Sequence, residues 1–337
     1  MKIEKKIRCG VIGYGGAFNM GNLHLTSMSK NPGAEVAAVC ELDPARREAA
    51  HKDWPQAQVY SRVGDMLRHA GLDLVTVITP HNTHARLALQ CLDAGVNAIC
   101  EKPMAITSRE VKAMLAMARR RRVMLSTFHN RRWDGDFVLL RELIQKEKWI
   151  GRVFRIEAGF HGYGPQGNWW RADRKISGGA IYDWGAHFTD WILNLVPEPI
   201  DWVSGYQVKN PEWQRYTNED HSEYTLRFRG GCAATLTISN LSMSSRPRWR
   251  VLGEQGSIED AGGKFLVKSW VKGRQTSAEI PFPKASWDAY YQNVMAHLRG
   301  REKLVITPES AARVIGVLEA ANISASRGSA PVKPAFV

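Results

Sequence analysis

The chain of 337 residues contains no run of about 18 apolar residues, so nothing in it reads as a membrane-spanning helix. Its first residues, Met-Lys-Ile-Glu-Lys-Lys-Ile, lack the apolar stretch and small-residue cleavage site of a secretory signal. Cysteine is scarce. Cys9, Cys40, Cys91, Cys100 and Cys232 form no Cys-x-x-Cys pair, and four of them sit in apolar strand-like runs. That argues against a metal centre or a disulfide framework, and it favours free buried thiols in a reducing cytoplasm. There is no zinc finger, RNA-recognition signature, Lys/Arg-rich tail, internal repeat or low-complexity segment. Negative charge is in deficit, with 33 Asp+Glu against 46 Lys+Arg and a net charge of +13, which favours an anionic partner. The densest basic run, Arg119–Arg122, closes an apparent helix, where cations suit the negative end of the dipole, so no nucleic-acid partner is expected.

What is present fits a soluble globular protein: 44% hydrophobic and 23% charged residues, in a length suited to two domains. The first 128 residues alternate strand and helix. Apolar strands are expected at Ile7–Ile12, Glu35–Cys40, Leu74–Thr79, Asn97–Cys100 and Val123–Phe128. Helices lie between them, one with Leu87, Cys91 and Ala94 at helical spacing and another opening on a Thr107–Glu110 capping box. This order predicts a parallel, doubly wound α/β sheet. Residues 129–337 read differently. Helices are expected at Asp134–Lys146 and Gly179–Leu195, around a Gly-, Trp- and Arg-rich loop at Gly162–Ser177. Successive strands follow from Ile200 to Ile280, including a hairpin turn at Gly230-Gly231, and helices at Ser286–Arg299 and Pro308–Ser326 close the chain. Short connections between consecutive strands predict an α+β domain with an open, mostly antiparallel sheet.

Three clusters carry the chemistry. Gly13-Tyr-Gly15-Gly16-Ala17-Phe18 lies where the first strand turns into the first helix, so its backbone can approach a pyrophosphate at a helix N-terminus. Phe18 stands where a third glycine is usual, and the turn runs on to Gly21. Glu41, at the end of the second strand, is placed to accept ribose hydroxyls; Arg46 and Arg47 follow and can meet a 2′-phosphate, or simply solvate a helix face. The second cluster is polar and sits at strand ends: Thr79, Pro80, His81 and His84 after one strand, Glu101-Lys102-Pro103 after the next. Such positions face the ligand crevice of this fold class, where Lys102 can hold a hydroxyl or carbonyl oxygen. The third is the apolar stretch from Gly178 to Trp191. Asp183, His187 and Asp190 fall along one helix face there, with His187 a candidate general base and Asp183 or Asp190 its partner.

Together the glycine cluster, Glu101-Lys102-Pro103 and Gly178-Gly179-x-x-x-Asp183-x-Gly185-x-His187-x-x-Asp190 resemble the Gfo/Idh/MocA oxidoreductases, over nearly the whole chain. The resemblance implies an N-terminal Rossmann domain (1–128) binding NAD, with NADP as the alternative. It also implies a C-terminal domain (129–337) that binds substrate and joins subunits into a homodimer or homotetramer. It makes Lys102, Asp183 and His187 the catalytic residues and brings Trp170 and Arg171 to the cofactor. The implied reaction is hydride transfer at a hydroxyl-bearing carbon of a sugar, polyol or derivative. Trp169 offers an aromatic face to a sugar ring, and Arg171, Arg174 and Lys175 offer charge to a carboxylate or phosphate. A redox-neutral glycosidase with retained NAD and a non-enzymatic sugar- or nucleotide-sensing regulator are the alternatives.

Overall fold

The computed structural model describes residues 5–167 and 169–337; Asn168, within the expected Gly162–Ser177 loop, lies outside them. The chain forms two compact units, one of residues up to His129 with Asp288–Ala311, the other of Asn130–Trp287 with Ala312–Val337. In the first unit the order is β1 (Ile7–Ile12), α1 (Met20–Ser29), β2 (Ala34–Cys40), α2 (Pro44–Asp53), β3 (Gln58–Tyr60), α3 (Val63–His69), β4 (Leu74–Val77), α4 (His81–Asp93), β5 (Asn97–Cys100), α5 (Ser108–Arg121) and β6 (Leu125–Thr127). Their sheet is parallel throughout, in the order β3-β2-β1-β4-β5-β6. This is the doubly wound arrangement the alternating pattern predicts, with its order reversing between β1 and β4. Burial of nearly all of β1, β4, β5 and β6 explains their continuous apolar runs. The three-residue β3 has one apolar aliphatic residue, Val59, and no alternation to reveal it. The Thr107 cap forms as expected, with Thr107 Oγ1 accepting from Glu110 N and Glu110 reaching back to Thr107 N.

The second unit begins with α6 (Gly135–Arg141), which continues as a π turn over Glu142–Lys146, then β7 (Val153–His161), α7 (Arg174–Ser177) and α8 (Trp184–Leu195). Seven strands follow: β8 (Ile200–Val208), β9 (His221–Phe228), β10 (Ala233–Ser239), β11 (Trp249–Gly253), β12 (Gly256–Asp260), β13 (Lys264–Val271) and β14 (Arg274–Pro281). The eight-stranded sheet runs β14-β13-β12-β11-β7-β10-β9-β8, antiparallel except where β7 meets β10. Helix α8 packs on β7 and β10, where Ile156 and Leu236 are buried, as are Tyr224 of β9 and Trp249 of β11. The alternate residues Glu157, Thr225, Thr235 and Arg250 face the other way and are half-exposed. In the β9–β10 hairpin the turn takes a positive φ at Gly231, while Gly230 keeps an ordinary one.

The chain ends with α9 (Asp288–Leu298) and α10 (Pro308–Ser326). Residues 288–311 belong to the first unit, although the sequence pattern assigns everything after 128 to the second domain. Buried side chains give the reason: Tyr290 bonds Ser126 of β6, and Tyr291 bonds Thr76 of β4 and His24 of α1. One further boundary differs from expectation. Asp183 is not inside a helix starting at Gly179. A 3₁₀ turn over Ala180–Tyr182 precedes it, its own backbone is non-helical (φ −82°, ψ −88°), and it is the N-cap residue of α8.

Candidate active site

The glycine loop joins β1 to α1. Gly13 has φ +103°, and a Cβ there would stand 2.0 Å from the Ile78 carbonyl oxygen, so only glycine fits. At Gly15 an added Cβ would meet nothing within 4 Å, which leaves that backbone open to a ligand. The third glycine of the fingerprint is Gly21. Its Cβ would lie 2.6 Å from the Tyr14 ring and 3.0 Å from Gly13 O, so it permits the close helix–strand packing that Phe18, which is exposed, does not supply. The longer turn through Asn19, itself at φ +48°, shifts this glycine by three residues.

Glu41 stands at the mouth of this loop. Its carboxylate accepts from the backbone of Tyr14 (2.6 Å), Leu42 (2.6 Å) and Asp43 (3.0 Å). Arg46 crosses to the loop, donating from Nε to Tyr14 O at 2.8 Å and lying beside Gly16. Arg47 instead bonds the carbonyls of Glu41 and Leu42. The loop's open backbone at Gly15 and the carboxylate beside it are chemically suited to a dinucleotide's pyrophosphate and ribose.

At the ends of β4 and β5, the predicted polar residues are drawn into a shared frame. His84 is buried, with Nδ1 2.7 Å from Pro103 O and Nε2 2.7 Å from Thr79 O. Thr79 Oγ1 bonds Thr83 Oγ1 at 2.7 Å, and His81 is buried with its ring 5.7 Å from that of His84. Glu101 accepts from Lys102 N through Oε2 and from buried His24 through Oε1. Burial raises the Glu101 pKa, but the His24 hydrogen bond and the charges of His24 and Lys102 outweigh it and hold the carboxyl below its usual value. The Lys102–Pro103 peptide is cis.

In the second unit, Asp183 opens α8 with its side chain half-exposed, 3.9 Å from Arg171 Nε. The Arg171 guanidinium lies between the Trp169 ring (4.5 Å) and the Trp170 ring (4.3 Å). His187, one turn into α8, is buried beside Trp184 and Trp191 at 5.7 and 6.2 Å between centroids. Trp184 is stacked on Phe160 of β7 and covered by Arg131. Asp190, expected as a partner of His187, is held by Arg132 at both carboxylate oxygens, at 2.8 and 2.6 Å, in a buried fork. Arg174 pairs with Glu219, and Lys175 is exposed.

Sequence reading missed Glu219. This buried carboxylate accepts from Ile181 N at 3.2 Å and from Arg174 at 2.9 Å, so it anchors the turn that delivers Asp183. Gly179, at φ +126°, leaves room for both its oxygens, each 3.2 Å from where a Cβ would sit. Burial raises its pKa, which Arg174 only partly offsets. His24 and Tyr291 were also missed, since neither lies in a motif; Gly21 alone had a signal, a glycine where helical residues resume.

Residues 7–129 match the model of an oxidoreductase family with an NAD-binding Rossmann fold, and residues 137–259 match the GFO/IDH/MocA C-terminal domain. The chain belongs to the GFO/IDH/MocA oxidoreductases. It is 30% identical to inositol 2-dehydrogenase 2 of Paenarthrobacter aurescens, over 74% of each chain. It is 26% identical to the scyllo-inositol 2-dehydrogenase (NADP(+)) of Bacillus subtilis, over 94% of this chain and 92% of the relative. An NAD-binding protein from Listeria innocua superposes with a TM-score of 0.86 at 27% identity, covering 98% of this chain and 97% of its own. As a member of this family the protein is an NAD(P)-dependent dehydrogenase. Among the described residues, no helix is long and apolar enough to cross a membrane.

Proposed function

We propose that this dehydrogenase acts reversibly on a CH–OH group of a sugar, polyol or sugar derivative, with His187 as acid/base and Lys102 holding the reacting oxygen. The observation that carries the reading is local to α8: a half-exposed carboxylate at the N-cap and a histidine one turn on, buried among indoles. A bound nicotinamide supplies the hydride acceptor, and the protein contributes binding, orientation and proton transfer. His187 takes the hydroxyl proton on a ring nitrogen. The Lys102 ammonium donates to the same oxygen and stabilises negative charge as it develops. Asp183 orients the imidazole or a neighbouring hydroxyl. Thr79, Pro80 and His81 lie at the strand end that a nicotinamide approaches in a doubly wound sheet, and Trp169 and Trp170 offer indole faces to a ring-shaped substrate. The polyols named for two relatives support that substrate class.

The Glu41 carboxylate repels a 2′-phosphate, so NAD(H) is the expected cofactor, with Arg46 the group that would favour NADP(H). The half-exposed sheet face around Thr225, Thr235 and Glu157 supports pairing into a homodimer or homotetramer. Five free, buried cysteines support a reducing cytoplasm.

Mass spectrometry of native protein for retained nucleotide, joined to a sugar and polyol panel read at the reduced nicotinamide absorbance, tests the reading. Net cofactor reduction by one substrate class is the expected result. Nucleotide retained with turnover but no net reduction would favour the redox-neutral glycosidase, and binding without turnover the regulator.

A further inference from the structure

The turn carrying Lys102 is gripped on both sides. On one side the Glu101 carboxylate, bonded to Lys102 N, is held at 3.0 Å by His24 Nε2. His24 Nδ1 lies 2.7 Å from Tyr291 Oη, which in turn lies 3.0 Å from Thr76 Oγ1. On the other side the Pro103 carbonyl is held by His84, which also reaches Thr79 O. The two histidines come from different helices, α1 and α4, and both are fully buried.

From this geometry we propose that His24 and His84 are positioning residues for Lys102, and that His84 stands as a buried imidazolium between two backbone carbonyls. The first half rests on the reading of Lys102 as the group that holds the reacting oxygen. The charge follows from donor counting. A carbonyl oxygen only accepts, and a neutral imidazole has a single N–H. With both nitrogens 2.7 Å from carbonyl oxygens, a neutral ring would set one lone pair against another. The imidazolium satisfies both contacts with charge-assisted hydrogen bonds. His24 differs: one ring nitrogen faces the Glu101 carboxylate and the other the Tyr291 hydroxyl, which can donate or accept, so donor counting fixes no charge on it.

Ionisable groups lie on α4 itself and on the elements packed against it. His81, on the same helix, is a ring 5.7 Å away. From the end of β5 come Glu101, committed to His24 and Lys102 N, and Lys102 itself. On α3, Asp65 pairs with Arg68 and with its own carbonyl holds His69. On α5, Glu110 is spent on the Thr107 cap, and Arg109 and Lys112 are exposed.

The charge is tested on wild-type, ¹⁵N-labelled protein by long-range ¹H–¹⁵N spectra at about pH 8, above the ordinary histidine value of about 6.5. His84, assigned through its contacts to Thr79 and Pro103, is expected to carry protons on both ring nitrogens. A singly protonated His84 ring overturns the charge assignment. The positioning role is tested in the identified reaction with His84→Gln and His24→Gln. Each is expected to lose roughly 10²-fold in kcat, the scale of a small misplacement of a reacting group, with cofactor Kd held within about threefold. Native kcat in the folded His24→Gln enzyme overturns that role even if His84→Gln fails to fold. If the Lys102→Ala enzyme keeps native turnover, it is the catalytic reading of Lys102 that fails; the His84 spectrum is decided independently.

Discussion

Two glycines two positions apart in sequence separate folding from binding. Gly13 combines a left-handed backbone with a carbonyl 2.0 Å from any Cβ, whereas Gly15 faces open space. Gly13→Ala is therefore expected to lower the melting temperature and impair NADH binding together. Gly15→Leu should melt within about 2 °C of the native protein, as surface changes of about 0.5 kcal/mol do in a chain of this size, yet lose NADH affinity in calorimetric titration. Undiminished affinity in Gly15→Leu would place the pyrophosphate elsewhere. Glu101 gives a pH prediction. Its folded pKa lies below the ordinary value of 4.5 because His24 and Lys102 favour its charged form against burial. A depressed carboxylate stabilises the fold above its unfolded pKa and loses that contribution as pH falls through the folded one. The stability gap between wild type and Glu101→Gln, from urea unfolding, should hold at pH 7 and narrow steadily below about pH 4.5; a gap that widens on acidification contradicts the assignment.

At the level of elements, α8 is fixed at its start and midway along by charges the local sequence did not pair. Glu219 anchors the turn before Asp183, and Arg132 forks onto Asp190. The Arg132–Asp190 pair is buried, so breaking it leaves an uncompensated charge. Asp190→Leu is expected to cost about 3–5 kcal/mol, and the double variant Arg132→Met/Asp190→Leu markedly less. Denaturant unfolding of the four members of the cycle measures this, and strict additivity would show that the two side chains do not act as a pair. Much of this level was legible in sequence. The Thr107–Glu110 cap, the Pro308 start of α10 and the strand ends at Cys40 and Cys100 follow from short-range signals. The start of α8 was not legible, because the glycine pair and apolar residues before Asp183 give no cue that a 3₁₀ turn, bonded to a residue 38 positions away, intervenes.

For the whole molecule, the test is catalytic. Lys102 belongs to the first unit and Asp183 and His187 to the second. His187→Ala is expected to lose about 10²–10⁴-fold in kcat, the usual worth of a general base, with little change in cofactor affinity. Steady-state kinetics on the identified substrate, alongside NADH titration, measures both; native turnover in the variant would assign the base elsewhere. The thiols should be bystanders, since burial pushes Cys9 and Cys91 up to about 12 and Cys40 and Cys232 to about 11. Alkylating reagents at neutral pH are expected to leave activity intact in the folded enzyme, because a protonated, buried thiol is a poor nucleophile.

The amino-acid sequence by itself determined the alternation of strand and helix, the glycine turn, the polar residues at strand ends and the Asp183–His187 spacing. Each of these is written in neighbouring residues, through periodicity, capping or backbone freedom. Tertiary structure alone decided that Gly21 serves as the third glycine, that residues 288–311 return to the first unit through Tyr290 and Tyr291, and that Asp190 belongs to Arg132. It alone set His24 and His84 on either side of Lys102. Those pairings join residues from 19 to 267 positions apart, and what selects them is burial: a polar group removed from water must find whichever partner the packed fold brings within reach.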